Sequence, residues 1–269
     1  MERFSPEAVF ADLEALRARR PLVQNITNFV AMTVSANVLL ALGASPAMVH
    51  AAEEAEDFAA IASSLVINIG TLTPAWVASM KTAAREYGKL SKPWVLDPVG
   101  VGATKLRNEM AASLIQLKPA VIRGNAGEIL ALAGSFGGAR GVDSTAGSQA
   151  ARASAIELAR STGAIIAVTG EIDLVTDGQD VVSIAGGHGL MPRSTALGCA
   201  LSGVVAAFAA VNKPFDAAVS ALTVYAAAGS IAGRRVKGPG HLPAELCDAL
   251  FHLTSNELRA NTKIESTAA

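Results

Sequence analysis

Cys199 sits at the end of Gly186-Gly187-His188-Gly189-Leu190-Met191-Pro192-Arg193-Ser194-Thr195-Ala196-Leu197-Gly198-Cys199, a polar stretch punctuated by glycine. The next residues, Ala200 to Phe208, place Leu201, Val204, Val205 and Phe208 on one face at helical spacing. The junction therefore predicts a loop feeding the first turn of a buried helix. Such a turn has unpaired N–H groups and a partial positive charge, which suits an anion. A phosphate held there, with a thiol beside it, is a place where a phosphoryl group could meet an attacking hydroxyl. Two further segments carry suitable chemistry. In Asp97-Pro98-Val99-Gly100-Val101-Gly102-Ala103-Thr104 an acid precedes glycines that free backbone amides, which suits a Mg²⁺–phosphate site, although Asp97 taken singly also reads as the cap of a turn before Pro98. In Arg123-Gly124-Asn125-Ala126-Gly127-Glu128 the arginine can fork onto phosphate oxygens and Glu128 can hold magnesium through water. A structural Arg123–Glu128 ion pair is the competing reading.

Elements must bring these residues together. Apolar runs at Leu22–Ile26, Ala47–Val49, Leu65–Ile69, Trp94–Asp97, Ala120–Arg123 and Ile165–Thr169 predict strands. Between them, helices are expected from Pro6 to about Arg19, over Phe29–Leu42 and Glu53–Ala62, from Thr73-Pro74 to about Tyr87, and over Leu106–Leu117, Ala126–Leu132 and Ser148–Ser161. Gly134–Gly141 reads as a glycine-rich connection. Asp177-Gly178 joins Leu174–Thr176 to Val181–Ile184 as a hairpin. Helices over Cys199–Val211, from Pro214 to about Ala232 and over Pro243–Leu258 complete the chain, with a frayed tail after Asn261.

Apolar strands alternating with helices argue a mostly parallel sheet covered on both faces, in one domain spanning residues 1–269, since no linker or repeat divides it. In such sheets ligands bind beyond the carboxyl ends of the strands. Asn25, Asp97, Arg123 and Thr169 lie at those ends, Met48 lies in the second strand, and convergence there is what a site needs. Taken singly, Asn25, Thr71 and Ser194 read as cap or turn residues.

Several functions are disfavoured. A net charge of −1 without a basic block leaves no nucleic-acid footprint. The two cysteines, Cys199 and Cys247, form no CxxC or Cys/His ligand spacing and suit free thiols in the cytoplasm. Glu2, Arg3, Glu7, Asp12 and Glu14 give the start no signal-peptide character. Phe58–Met80 is broken by Asn68, Gly70 and Pro74, and Ala217–Gly233 reads as a buried helix, so no membrane partner is expected. Neither GxGxxG after a strand nor GxxxxGK[ST] nor GxSxG occurs. His50, His241 and His252 read as surface or capping residues, and His188 as a structural hydrogen-bonder.

Five blocks in order resemble hydroxyethylthiazole kinase: Gln24-Asn25-Ile26-Thr27-Asn28, Gly43–Met48, Leu96–Thr104, Arg123–Glu128 and Gly198-Cys199-Ala200-Leu201-Ser202. The resemblance spans nearly the whole chain. It implies a ribokinase-like three-layer αβα sandwich and transfer of the ATP γ-phosphoryl group to the primary alcohol of 4-methyl-5-(2-hydroxyethyl)thiazole, with Mg²⁺, in thiamine salvage. It also implies a homotrimer with active sites between subunits. By carry-over, Cys199 is the catalytic residue, standing where most of the superfamily has an aspartate base. Met48, Ala196 and Asn25 bind the thiazole; Arg123, Thr169 and Gly198 bind ATP; Asp97 and Glu128 serve the metal. The family usually reads Thr-Gly-Thr-Gly-Cys where this chain has Thr195-Ala196-Leu197-Gly198-Cys199, so a left-handed Ala196 would cost roughly 1–2 kcal/mol. Rival readings are a kinase of the same superfamily acting on a hydroxymethylpyrimidine or pyridoxal, an ATP-dependent dehydratase of the same fold, and a nucleotide-binding protein without catalysis.

Overall fold

The computed structural model describes residues 3–135 and 147–269. In chain order the elements are α1 (Pro6–Arg19), β1 (Leu22–Ile26), α2 (Met32–Leu42), β2 (Ser45–Met48), α3 (Ala55–Ile61), β3 (Ser64–Asn68), α4 (Pro74–Lys89), β4 (Trp94–Asp97), α5 (Lys105–Ile115), β5 (Val121–Asn125) and α6 (Ala126–Ser135). After them come α7 (Gly147–Thr162), β6 (Ile165–Thr169), β7 (Ile172–Thr176), β8 (Asp180–Ala185), α8 (Leu197–Ala209), α9 (Pro214–Arg235), α10 (Leu242–His252), α11 (Ser255–Asn261) and β9 (Lys263–Ala268). The expected connection at Gly134–Gly141 lies mostly outside the described residues.

The strands form one sheet in the order β2-β1-β3-β4-β5-β6-β7-β8-β9. Neighbours from β2 to β6 run parallel, and β6 to β9 pair antiparallel. Strand alternation sends Val66, Val95 and Val121 to the face covered by α1, α2 and α8 to α11. Leu65, Ile67, Leu96, Ile122 and Ile166 face α3 to α7 on the other side. This is the three-layer αβα sandwich with a mostly parallel sheet.

At the centre of the first layer, α9 is long and apolar enough to cross a membrane, yet 94% of its apolar window is buried inside the fold. Its Ala217, Ala218, Ala221, Ala227 and Ala228 let neighbouring helices approach closely.

Three expectations need correction. α2 begins at Met32, because the Asn28 Oδ1 accepts the N–H groups of Val30 and Ala31 (both 3.0 Å) and holds Phe29-Val30 in a turn. The helix expected over Pro243–Leu258 is two helices. Thr254 caps the second by accepting from the Glu257 amide while Glu257 accepts from the Thr254 amide, a capping box visible as Thr-Ser-Asn-Glu. Nor is the tail frayed: Lys263–Ala268 pairs with Asp180–Ala185 and covers what would otherwise be the open edge of β8.

Candidate active site

Pairing register makes a polar row from separate strands. Val66 sits beside Val95 and Val95 beside Val121; two residues further along, Asn68 pairs with Asp97, and the same register brings Arg123 next. All three therefore face the layer that contains α8. Asp97 is fully buried. Its Oδ2 accepts from Asn68 Nδ2 at 2.7 Å and from Ser202 Oγ at 2.8 Å, while its Oδ1 has no hydrogen-bond partner among the described residues. Burial pushes the Asp97 carboxyl up to about 6 and outweighs the opposing pull of Arg123, whose Nη1 lies 3.9 Å away.

Arg123 ties this row to the head of α8. Its Nη1 donates to the Gly198 carbonyl at 3.0 Å and its Nη2 to Thr169 Oγ1 at 2.6 Å. Its acidic neighbour is Asp97 rather than Glu128, so the competing structural reading falls. The first bond inside α8 runs from the Ala200 amide to the Ala196 carbonyl at 2.9 Å, which leaves the N–H groups of Leu197, Gly198 and Cys199 without a partner inside the helix. Ala196 does adopt the left-handed conformation, with φ of 69°. The helix head is held from elsewhere: the Leu197 side chain is buried, and Tyr225 donates its hydroxyl to the Leu197 carbonyl at 2.8 Å.

Cys199 accepts from Asn28 Nδ2 at 3.3 Å. Burial pushes its thiol above the ordinary range and the Asp97 charge adds to this, against the pull of Asn28, Asn68 and Arg123. The helix terminus alone would act the other way, so the thiol rests protonated at neutral pH. A cavity of about 800 Å³ opens beside this constellation, bordered by Arg123, Thr169, Asp173, Leu197, Gly198 and Tyr225 among others. It has one cationic fork, a hydroxyl and a helix head, which is what a polyphosphate needs.

The family model described as "Hydroxyethylthiazole kinase family" matches residues 13–256. The chain belongs to the hydroxyethylthiazole kinase family. A hydroxyethylthiazole kinase of Cereibacter sphaeroides is 53% identical over 254 residues, covering 94% of this chain and 97% of that one. One from Rhizobium rhizogenes is 51% identical, with 94% and 96% covered. The solved hydroxyethylthiazole kinase from Pyrococcus horikoshii OT3 superposes with a TM-score of 0.92 at 40% identity, covering 97% and 99%. A Staphylococcus aureus pyridoxal kinase in complex with AMP-PCP, at 16% identity and a TM-score of 0.65 over 92% and 99%, shares the ribokinase-like fold.

Not every residue matched to the family motifs meets the others. Cys199, Asp97, Arg123, Thr169 and Gly198 come together as expected. Asn25 does not join them. It pairs with Val66 rather than Asn68, one pleat below the polar row, and is fully buried with its Nδ2 donating to the Val23 carbonyl at 2.9 Å. Met48 is half-buried beside it at the end of β2 and, like Ala196, does not border the large cavity.

The glycine loop after Asp97 also differs from expectation. Gly100 and Gly102 have φ of 71° and 92°, which explains the glycines, but their amides are not free. The Gly100 amide donates to Glu128 Oε1 at 3.0 Å and the Gly102 amide to Asn108 Oδ1 at 2.7 Å. Glu128 Oε2 accepts from the Asn125 amide at 2.9 Å, so both Glu128 oxygens already hold backbone.

Sequence reading passed over Asn68, Ser202 and Tyr225. Two had a signal: Asn68 is the polar end of an apolar strand, and Ser202 follows Cys199 by three residues, one helical turn. Tyr225 had none.

The loop before α8 is seated on α9 by missing side chains. The Gly187 amide donates to the Ala226 carbonyl at 3.0 Å, and Ser230 donates to the Gly187 carbonyl at 3.0 Å. A Cβ on Gly233 would collide with the His188 ring, and one on Gly229 with Met191. Gly233→Ala is therefore expected to lift this loop and raise the KM for ATP about tenfold, through roughly 1–2 kcal/mol of strain, with little change in the KM of the alcohol. Steady-state kinetics in both substrates measures the difference.

Proposed function

We propose that this chain, as a single domain, transfers the γ-phosphoryl group of ATP to the primary hydroxyl of 4-methyl-5-(2-hydroxyethyl)thiazole, in the cytoplasm, as a step of thiamine salvage. The observation that carries the reading is the meeting of Cys199, Arg123 and Asp97 at the open head of α8, in a chain of this family. The polyphosphate lies in the large cavity, with Arg123 and Thr169 on its oxygens and the Leu197, Gly198 and Cys199 amides facing the transferring group. Phosphoryl transfer passes through a loose transition state, so orientation and charge neutralisation outweigh early proton removal. Cys199 holds the alcohol at the line of attack, and its thiolate form takes the alcohol proton late.

The residues fit a divalent cation. Asp97 Oδ1 is buried and has no hydrogen-bond partner among the described residues, and a carboxylate oxygen so placed could serve as one ligand of a shell completed by phosphates and waters. Asp97 would hold Mg²⁺ directly and Glu128 through water, and the ion would neutralise the β- and γ-phosphate charge. Asp97 stays in place through Asn68 and Ser202.

The thiazole lies on the other side of α8, against Met48 and a ring cluster in which Trp76 sits 4.5 Å from Phe29 and 4.4 Å from His50, centroid to centroid. Burial holds His50 below its ordinary pKa and so uncharged, which suits an apolar heterocycle. Phe29 and Val30 are 62% and 59% exposed beside this region, which supports a homotrimer with a neighbouring subunit over the thiazole. Met48→Asp is expected to raise the thiazole KM about tenfold or more and leave the ATP KM within a factor of about two; an equal rise in both would remove Met48 from the thiazole site. The function itself is tested by ADP release across a panel of hydroxyethylthiazole, hydroxymethylpyrimidine and pyridoxal. Activity on the thiazole alcohol at least about 10²-fold above the others is expected, since a mismatched polar site discriminates strongly.

A further inference from the structure

Two buried amides connect the thiol to the aspartate, and every hydrogen-bonding group of the first is used. Asn28 Oδ1 accepts from the Val30 and Ala31 amides, both at 3.0 Å. That fixes which end of the side chain is oxygen, so its Nδ2 must point the other way. There it donates to Asn68 Oδ1 at 2.9 Å and to Cys199 Sγ at 3.3 Å. Asn68 is locked in the same sense: its Oδ1 also accepts from the Gly70 amide at 2.9 Å, and its Nδ2 donates to Asp97 Oδ2 at 2.7 Å. Gly70 is the floor beneath this arrangement, because a Cβ there would meet the Asn28 amide at 2.8–3.0 Å. Neither amide can flip without losing two or more bonds inside a buried network. The N–H aimed at sulfur leaves that side of Cys199 occupied, so only its remaining face can meet an alcohol.

We infer that Asn28 is a positioning residue: it sets the Cys199 sulfur through a chain, Cys199–Asn28–Asn68–Asp97, that joins the thiol end of the site to the carboxylate end. The inference rests on Cys199 acting as proposed above. Asn28 acts through the sulfur, to which its Nδ2 donates. Removing it leaves the sulfur to Asn68 alone, widens the rotation of Sγ and lowers turnover.

A double-mutant cycle in the full chain tests this. Asn28→Ala is expected to lower kcat about 10–50-fold with the ATP KM within about threefold of wild type, and to raise the thiazole KM as well because it releases the Phe29-Val30 turn. Asn28→Ser keeps an oxygen able to accept from the Val30 and Ala31 amides but cannot reach the sulfur, and it should show the same kcat loss with a melting temperature near wild type. In a Cys199→Ala background, either Asn28 substitution should change kcat by less than about twofold, because there is no sulfur left to aim. If the losses multiply in the double variant, or if Asn28 variants raise KM at unchanged kcat, the positioning role is overturned while the role of Cys199 stands. If Cys199→Ala alone turns over like wild type, the proposed base falls first and the inference falls with it.

Discussion

Cys199→Ala is expected to slow turnover by about 10²–10⁴-fold without abolishing it, and Cys199→Asp to remain active. The range is that of a positioned base, which is a minor share of phosphoryl-transfer catalysis. Arg123, the α8 amides and Asp97 are untouched by the first substitution, so substantial activity survives. The second supplies a carboxylate, whose ordinary range lies far below that of a thiol. Because burial and the Asp97 charge hold the Cys199 thiol above its ordinary range, the wild-type kcat should climb with pH into the alkaline region. Cys199→Asp should move that limb to lower pH, since a carboxyl titrates below a thiol in the same surroundings. A kcat–pH profile of the wild type and both variants checks all of this. Equal collapse of Ala and Asp variants, with ATP binding intact, would sink the base role.

The second large effect is expected at Asp97, where activity and stability should move in opposite directions. Asp97→Asn keeps an oxygen to accept from Asn68 and Ser202 but removes the charge that faces the metal and phosphates. kcat/KM should fall by at least about 10³-fold, because charge stabilisation is the main contribution at such a site. The same substitution should not destabilise the fold at neutral pH. The folded carboxyl titrates at about 6 against an ordinary 3.8, so between those values the folded state binds more protons than the unfolded one. Stability of the metal-free wild type therefore falls as pH rises from about 4 to about 6, by an amount on the order of 2–3 kcal/mol. Asparagine mimics the protonated form and removes that loss. Thermal unfolding without metal, measured from pH 4 to 8, should show the variant matching the wild type near pH 4 and exceeding it above pH 6. A wild type that gains stability over that interval relative to the variant would contradict the account. The buried, unpaired Oδ1 is the reason for both halves: it costs the free protein stability and gives the bound cation a ready ligand.

Much of this fold is legible in short-range pattern. The strands from β1 to β6 are apolar runs with clear stops, and Ser5, Thr73 and Thr104 cap helices as their residue types dictate. The places where the pattern misled share a cause. Leu253-Thr254 and the tail have local signals that are weak or polar, and a capping box or a neighbour's open strand edge decided them. β9 is nearly all exposed and holds one partly buried apolar residue, Ile264, so no hydrophobic periodicity announces it.

At the site, residue types were informative and rows were not. The recurrence of valine followed two places later by a polar residue, Val66 to Asn68, Val95 to Asp97 and Val121 to Arg123, is present in the sequence and predicts a shared face. Which of these rows aligns across strands depends on register. β1 sits one pleat low relative to that row, which sets Asn25 apart from Asp97 and Arg123 and puts Asn28, beyond the strand end, next to Cys199. The glycine loop shows the same limit, since the sequence showed free amides and the fold assigned them to Glu128 and Asn108.

By itself, then, the chain determined its layers, its family motifs and the chemical types available at the strand ends, because those depend on periodicity and residue identity over a few positions. Tertiary structure decided which groups face one another, which oxygen of Asp97 is left unpaired, and how a left-handed Ala196 is tolerated beneath the Tyr225 hydroxyl. Those outcomes depend on strand register and on side chains more than twenty residues apart in sequence, where hydrogen-bond geometry allows only one arrangement and local pattern carries no record of it.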